Sequence, residues 1–207
     1  LPISSGNNLY AGTYDFGRSE GTVYVTSDNG ATWTNLDLRL SQRAVIALAS
    51  TPGNLFAGTS GNGILRSTNN GLTWSPVNEG LTSLVVMQLV TSGPNIFAGT
   101  ERGLLVSSNN GQNWSQVSAE LSEQIISSLH ANGNDLFAGT NSGRIYLSTN
   151  NGLTWTQVSS GLPPFPVYGI LGVENSIFAA TFGAGIHRSS NRGAAWNSAA
   201  QGLTAIV

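Results

Sequence analysis

The sequence predicts an all-β protein, a β-propeller of five four-stranded blades filling residues 1–207 as one domain, and three observations predict it. All five tryptophans fall in one register, Trp33, Trp74, Trp114, Trp155 and Trp196, spaced 41, 40, 41 and 41 residues apart. Each is preceded by the same two strings. The first is NLYAGT, NLFAGT, NIFAGT, DLFAGT or SIFAAT, ending at Thr13, Thr59, Thr100, Thr140 and Thr181; the second is an octapeptide such as STNNGLTW that ends on the tryptophan. A leucine then follows every tryptophan by seven positions, at Leu40, Leu81, Leu121, Leu162 and Leu203. A unit of this size cannot bury its apolar faces alone and is stable only when stacked on neighbours of the same kind.

Each unit reads as four strands, A to D. In the third, strand A is the apolar run 85–90, closed by a Ser-Gly-Pro-Asn turn; strand B is 96–100, followed by a short glycine-containing loop. Strand C is 104–107, then comes the Asn-Asn-Gly turn, and strand D lies around Trp114. Strand residues bounded by such turn residues mark short antiparallel strands, and every link is too short to hold a helix. Tandem four-stranded units of about 41 residues are propeller blades.

The octapeptide has the form [Ser/Thr]-x-[Asp/Asn]-x-Gly-x-x-Trp in all five units. Its third residue, Asp28, Asn69, Asn109, Asn150 or Asn191, is suited to accept hydrogen bonds from backbone N–H groups two positions on. Gly30, Gly71, Gly111, Gly152 and Gly193 are placed to take positive φ, and the tryptophan returns as an anchor between blades. Four of the five units carry an amide where the first carries Asp28, and an amide caps a turn but is a poor ligand for a hard cation. The reading is therefore structural, with no metal. This octapeptide resembles the Asp-box, or bacterial neuraminidase repeat, of sialidases, xyloglucan-hydrolysing enzymes, sortilin-type receptors and photosystem II assembly factors. The resemblance covers essentially the whole chain. It implies the blade and no particular activity, and it implies that ligands bind on the face opposite the octapeptides.

Composition limits the partners. Of 207 residues only 18 are charged, net −2, with eight arginines and no lysine, where an ordinary domain carries roughly 25% charged residues. No basic stripe is available to neutralise phosphates, so nucleic acid is not an expected partner. No apolar run approaches the roughly 20 residues that span a bilayer, so no membrane insertion is expected. With no cysteine, neither disulfides nor thiolate sites are available, and no cofactor is implied. A secreted, periplasmic or cell-surface location in a bacterium is expected.

In a blade, the A–B and C–D turns lie on one face and the B–C and D–A links on the other. The octapeptides are C–D turns, which leaves the opposite face to the more variable loops, where sites on rigid scaffolds concentrate. The spacing from box tryptophan to leucine is always seven and from that leucine to the next FAGT aromatic always sixteen. Only the aromatic-to-tryptophan segment varies: 18 in three units, 17 in the third and 23 in the first. The extra residues fall in the first B–C loop, with Tyr14, Asp15, Phe16, Arg18 and Glu20. The third unit puts Glu101 and Arg102 there, the fourth Asn141 and Ser142, the fifth Phe182. Aromatic rings with hydrogen-bonding groups suit a glycan or a peptide segment. The plainer reading of residues 14–21 is a solvated hairpin in which Asp15, Arg18 and Glu20 pair.

These residues predict a non-catalytic recognition or scaffold domain, with a sialidase-like or xyloglucanase-like glycoside hydrolase as the alternative. Hydrolysis needs two carboxyl groups about 5 Å or about 6.5–9.5 Å apart, and the candidates are Asp15, Glu20, Glu79, Glu101, Glu120 and Glu123. The resemblance implies, for a sialidase, three arginines, a Tyr–Glu pair and an acidic aspartate. Arg66 and Arg188 lie near the wrong end of strand C, Arg18 and Arg102 near the loop face, and Arg144 begins a strand C. His130 and His187 are 57 residues apart in sequence and read as structural. No serine sits in a nucleophile elbow, GTSGNG leads from strand to strand and not into a helix, and Asn113-Trp114-Ser115 is formally a glycosylation acceptor. The ends fall two residues short of completing one strand A, compatible with a closed five-bladed ring, expected to be monomeric, or with an excerpt of a larger propeller.

Overall fold

The computed structural model describes residues 2–15, 20–36, 38, 40–41 and 43–203. Among these residues it is all-β, with five antiparallel sheets, each built on a meander of four strands in chain order, the first with a fifth strand added. Blade 1 has strands Ile3–Ser5, Asn8–Asp15, Glu20–Thr26 and Thr34–Asn35; blade 2 has Val45–Thr51, Asn54–Thr59, Ile64–Ser67 and Ser75–Pro76. Blade 3 has Val86–Ser92, Asn95–Thr100, Gly103–Ser107 and Ser115–Gln116; blade 4 has Ile126–Asn132, Asp135–Thr140, Ile145–Ser148 and Thr156–Gln157. Blade 5 has Val167–Val173, Ser176–Thr181, Gly185–Ser189 and Asn197–Ser198. Strand D is thus a two-residue strand that follows the tryptophan instead of containing it. The link after strand D of blade 3 holds one short turn of 3₁₀-helix, Ala119–Leu121, where no helix was expected.

Two compact units are formed, one of Leu1–Thr100 with Leu105–Ser115 and one of Glu101–Leu104 with Gln116–Val207. In the first, the described residues on either side of the blade 1 insertion are paired. Tyr14 pairs with Gly21 and Asp15 with Glu20, so strands B and C simply run on, and Leu40–Ser41 adds a short fifth strand against Glu20 and Gly21. Of the two readings of residues 14–21, ligand loop or hairpin, these pairs are those of a hairpin. Phe16 and Arg18 lie outside the described residues.

Alternation along strands B and C divides the apolar side chains between two faces of each blade. In the first unit, Tyr10 and Val23 of blade 1 pack with Leu48, Leu55, Ala57 and Leu65 of blade 2. Phe56 and Ile64, on the other face of blade 2, pack with Val86, Leu89, Ile96 and Ala98 of blade 3. In the second unit, Phe137 and Ile145 of blade 4 meet Val167, Ile170, Ile177 and Ala179 of blade 5. Each blade therefore has an outgoing face, carrying the FAGT aromatic, and an incoming face, carrying the residues either side of it. The glycine of FAGT is what lets the next blade close in: a Cβ at Gly58 would stand 2.9 Å from Val86, and one at Gly139 2.8 Å from Val167.

The tryptophans do not all anchor in the same way. Trp114 and Trp196 are buried and donate from Nε1 to Val77 O at 2.8 Å and Val158 O at 2.7 Å, carbonyls of the preceding blade. Trp74 and Trp155 are half-buried and turn Nε1 onto their own octapeptide, to Gly71 O at 2.9 Å and Gly152 O at 3.1 Å. The difference originates one blade earlier. Before the buried pair, Gly80 and Gly161 hold φ of +85° and +90° with the tryptophan backbone laid against them. The amides of Trp114 and Trp196 there donate 2.9 Å bonds to Glu79 O and Ser160 O. Before the other pair the same position holds Glu120 ahead of Trp155 and, ahead of Trp74, Arg39, which lies outside the described residues.

Candidate functional site

The five octapeptides form one repeated turn. In blade 2, Ser67 Oγ accepts from Gly71 N at 2.8 Å and donates to Asn69 Oδ1 at 2.9 Å, while Asn69 Oδ1 also accepts from Thr73 N at 2.9 Å. The bonds therefore run four residues on, not the two that the sequence suggested. Ser107–Asn109–Gly111, Ser148–Asn150–Gly152 and Ser189–Asn191–Gly193 repeat the pattern. In blade 1 Asp28 takes the central place and also accepts from the Thr26 and Thr32 hydroxyls, both at 2.6 Å. Those hydroxyls, with the Thr32 amide, hold the Asp28 carboxyl well below the usual aspartate range. The residue before each glycine also has positive φ, as in Asn70 at +58°, a conformation that favours asparagine. The Ser/Thr hydroxyl and the central Asp or Asn spend these bonds closing the turn, which serves the fold.

The opposite face is built from B–C loops pinned by D–A links. In the second unit, Gly103 N donates to Gln124 O at 2.9 Å, fixing the loop of Glu101 and Arg102, both exposed. Asn141 N donates to Ile125 O at 3.0 Å, and Ser142 Oγ donates to Gln124 Oε1 at 3.2 Å. A Cβ at Gly143 would meet the backbone of Pro164 and Phe165 at 2.7 Å, so this loop lies directly on the Pro163–Pro164–Phe165–Pro166 link. Phe182 N donates to Pro166 O at 2.9 Å. Three of the seven prolines of the chain stand in that link, which stiffens the backbone without any regular structure.

These pins expose three aromatic rings on one face of the second unit: Phe165, Tyr168 and Phe182, at 44%, 54% and 50%. Tyr168 and Phe182 meet edge to face, with ring centroids 6.0 Å apart and planes at 73°. Strand A of blades 2 to 5 has a register shift just after its first residue. At that bulge blade 5 carries Tyr168 where the others carry Ile46, Met87 and Ser127. Of the residues predicted from sequence, Glu101, Arg102, Asn141 and Phe182 belong to this unit. Tyr14, Asp15 and Glu20 belong to the other, where Tyr14 is half-buried and Asp15 exposed. Phe165 and Tyr168 were missed. The signals were present, an aromatic at a bulge position and a proline cluster unique among the D–A links, but neither belongs to the B–C loops.

Other candidates have structural partners. Arg66 Nη1 donates to Asn110 O at 3.0 Å, and Arg188 holds Ser176 Oγ from Nε at 3.0 Å and Nη2 at 2.9 Å. His130 Nε2 accepts from Gly172 N at 2.9 Å across the joint between blades 4 and 5, and burial pushes its pKa down. His187 is buried, and its pKa is lowered for the same reason. Among the described residues no three His, Asp or Glu side chains come together in a metal-binding group. One feature of the second unit lies on the octapeptide face, where no individuality was expected. It is a polar cleft of about 500 Å³ lined by Asn132, Asp135, Glu174, Asn175, Ser190 and Arg192.

A family model, described as the DUF6242 beta propeller domain, matches residues 3–121 and again residues 98–205. No curated protein matches the sequence. Among solved structures, the GH74 enzyme of Niastella koreensis superposes with a TM-score of 0.74 at 23% identity, over 92% of this chain and 36% of its own. The GH74 xyloglucanase from Xanthomonas campestris gives 0.70 at 19%, over 92% and 36%. The extracellular domain of a one-component system from B. thetaiotaomicron gives 0.73 at 20%, over 91% and 26%. The chain thus spans between 26% and 36% of the length of these three structures, and at such identities the likeness is one of fold.

Proposed function

The chain belongs to the DUF6242 beta propeller domain family, and from that premise we propose that it acts as a non-catalytic recognition module. It holds a glycan or an extended protein segment on the loop face of the second unit. The observation that carries this reading is the set of three exposed rings, Phe165 in the D–A link, Tyr168 at the strand A bulge and Phe182 in a B–C loop that donates to Pro166 O. Exposed rings held rigid at low entropic cost are what sugar faces and peptide side chains pack on. Asn141, Glu101 and Arg102, all exposed in the same unit, supply hydrogen bonds and both signs of charge.

A second reading draws on the GH74 neighbours, one of them a xyloglucanase. It makes the chain part of a hydrolase, with Glu101 and Glu123 as the loop-face acids of the second unit, both solvent-exposed. Incubation with sialosides, β-glucans and xyloglucan, followed by product analysis, separates the two. The recognition reading expects binding that Phe182→Ala weakens and no released product. Turnover that disappears in Glu101→Gln would replace it.

A further inference from the structure

Five copies of one blade supply their own controls, and against them the polar cleft between blades 4 and 5 stands out. Three of its residues are charged where the other blades are not. Asp135 stands in the place of Asn8, Asn54, Asn95 and Ser176, and Arg192 in that of Asn29, Asn70, Asn110 and Asn151. Glu174, in the A–B turn of blade 5, stands in the place of Gly6, Pro52, Gly93 and Gly133. Three separate segments thus bring charged departures to one cleft, in a chain with only 18 charges in 207 residues. Two of them also carry a conformational penalty. Among the described residues, the non-glycine residues with positive φ are Asn29, Asn70, Asn110 and Asn151, and then Glu174 at +52° and Arg192 at +58°. Asparagine enters this region readily, whereas glutamate and arginine do so at a cost, and residues held there concentrate at sites that need them.

The volume is individual too. The corresponding recess between blades 1 and 2 has Ser5, Gly53, Leu55 and Asn70 where this cleft has Asn132, Asn175, Ile177 and Arg192, and it measures about 20 Å³, room for about one water. At about 500 Å³ the cleft between blades 4 and 5 is of the size that holds small molecules. Its charges are arranged as well as present. Arg192 meets Asp135 through Nε and Nη2, which fixes the guanidinium plane and leaves Nη1 without a partner among the described residues. Glu174, exposed on the same cleft, forms no ion pair with Arg192 or with any other described residue. With Asp135 committed to Arg192, one donor edge and one carboxylate stay open on opposite segments. A lone anion there would face two carboxylates, and a lone cation would leave the arginine edge unused. A ligand carrying both charges satisfies both.

We propose that this cleft binds a zwitterion of the α-amino-acid type with an apolar side chain, as a free amino acid or as a short peptide with free ends. The ligand carboxylate takes the Nη1 edge of Arg192, and its ammonium takes Glu174. Asn132, Asn175 and Ser190 offer amide and hydroxyl groups to the remaining polar atoms of the ligand. Phe137 and Ile177 line the same cleft and give its side chain an apolar base. Asp135 is a positioning residue, since it acts by holding the plane of Arg192. The site lies on the octapeptide face, opposite the exposed rings of the loop face, and works independently of them.

Titration of the 207-residue chain with L-leucine and with the dipeptide leucyl-leucine, followed by calorimetry and amide chemical shifts, tests this. The expected result is saturable binding of at least one of the two, with shifts centred on residues 132–135, 174–175 and 190–192. The tighter of the two tells a free amino acid from a peptide. Capping the ammonium by acetylation, or the carboxylate as its amide, should each weaken binding about tenfold or more, as for the loss of one charged hydrogen-bonding partner. Arg192→Asn and Glu174→Gly install the residues of other blades, so both should fold, and each should weaken binding by a similar factor. In Glu174→Gly, acetylating the ligand should cost nothing further, since the partner of its ammonium is already gone. Absence of binding by both ligands, capped forms that bind as tightly as free ones, or an affinity unchanged in either variant would overturn the proposal.

Discussion

Arg192 donates from Nε to Oδ2 of Asp135 at 2.8 Å, with Nη2 also on both carboxylate oxygens, and so ties the C–D turn of blade 5 to the start of strand B of blade 4. Both residues are departures from the repeat. Asp135 stands where the other blades have Asn8, Asn54, Asn95 and Ser176, and Arg192 where they have Asn29, Asn70, Asn110 and Asn151. The hydrogen bonds and charge of Asp135 raise the pKa of Arg192. Two substitutions 57 residues apart in a charge-poor chain thus meet across one joint.

The pair is solvent-exposed on the arginine side, so its contribution is screened by salt. Asp135→Asn should lower the urea midpoint at low ionic strength and become neutral in molar salt. Arg192→Asn also loses the pair but restores the residue type that favours the positive φ of +58° at this position. It should therefore overtake the wild type as salt rises. A loss in Asp135→Asn that persists unchanged in high salt would show that the residue acts other than through charge.

Gly80 and Gly161 control how the next tryptophan packs. A side chain at either would strike the carbonyl of Trp114 or Trp196 while forcing positive φ on a β-carbon. Gly80→Val should cost at least about 1–2 kcal/mol from backbone conformation alone and shift tryptophan emission to the red as Trp114 loses its seat. Unchanged emission in a destabilised Gly80→Val would contradict the seating rule.

Asp28 gives blade 1 an acid sensitivity that the other octapeptides lack. Its carboxyl is held below the ordinary aspartate range, so the stability it contributes is fully present above about pH 4 and is lost as pH falls through the depressed value. Asp28→Asn, which installs the residue used by the other four turns, should fold normally at neutral pH and flatten the acid limb of the melting curve. Asp28→Ala should be less stable at both ends.

His130 works with the same proton balance and the same pH direction, over a higher pH range. As a half-buried acceptor for the Gly172 amide it keeps that bond only when neutral, and its folded pKa lies below the unfolded one. The unfolded chain therefore binds more protons, and stability declines as pH falls below about 6.5. His187 contributes with the same sign. His130→Gln should shrink, without abolishing, the loss in melting temperature between pH 7 and pH 5; an unaltered loss would move the effect to His187.

The core obeys the transfer and cavity arithmetic of large-to-small substitution. Phe56, fully buried between blades 2 and 3, should cost about 3–5 kcal/mol as alanine. Phe178→Ala, at a half-buried position, should cost clearly less in the same denaturant series.

The fold was legible because one period repeats five times: the tryptophan register, the FAGT string and the turn glycines locate every sheet. Local patterning could not show that residues 14, 15, 20 and 21 extend a hairpin, since an insertion reads alike as loop or ladder until its cross-strand partners are known. Nor could the octapeptides show that their tryptophans adopt two states, because the deciding residue, Gly80 or Glu120, lies in the preceding blade. For the candidate site, Phe182 was legible as an aromatic in a B–C loop. Tyr168 was not, because its exposure comes from a bulge that shifts the register of strand A by one residue.

Isothermal titration of the wild-type chain and of Phe182→Ala and Tyr168→Ala with xyloglucan oligosaccharides, sialosides and β-glucan oligosaccharides, backed by amide chemical-shift mapping, tests the loop-face claim most directly. The account predicts saturable binding without turnover, shifts centred on Phe165, Tyr168, Phe182 and Asn141, and affinity reduced about tenfold or more in either variant. Shifts centred on the cleft of Asp135 and Arg192, or full affinity in both variants, would contradict it.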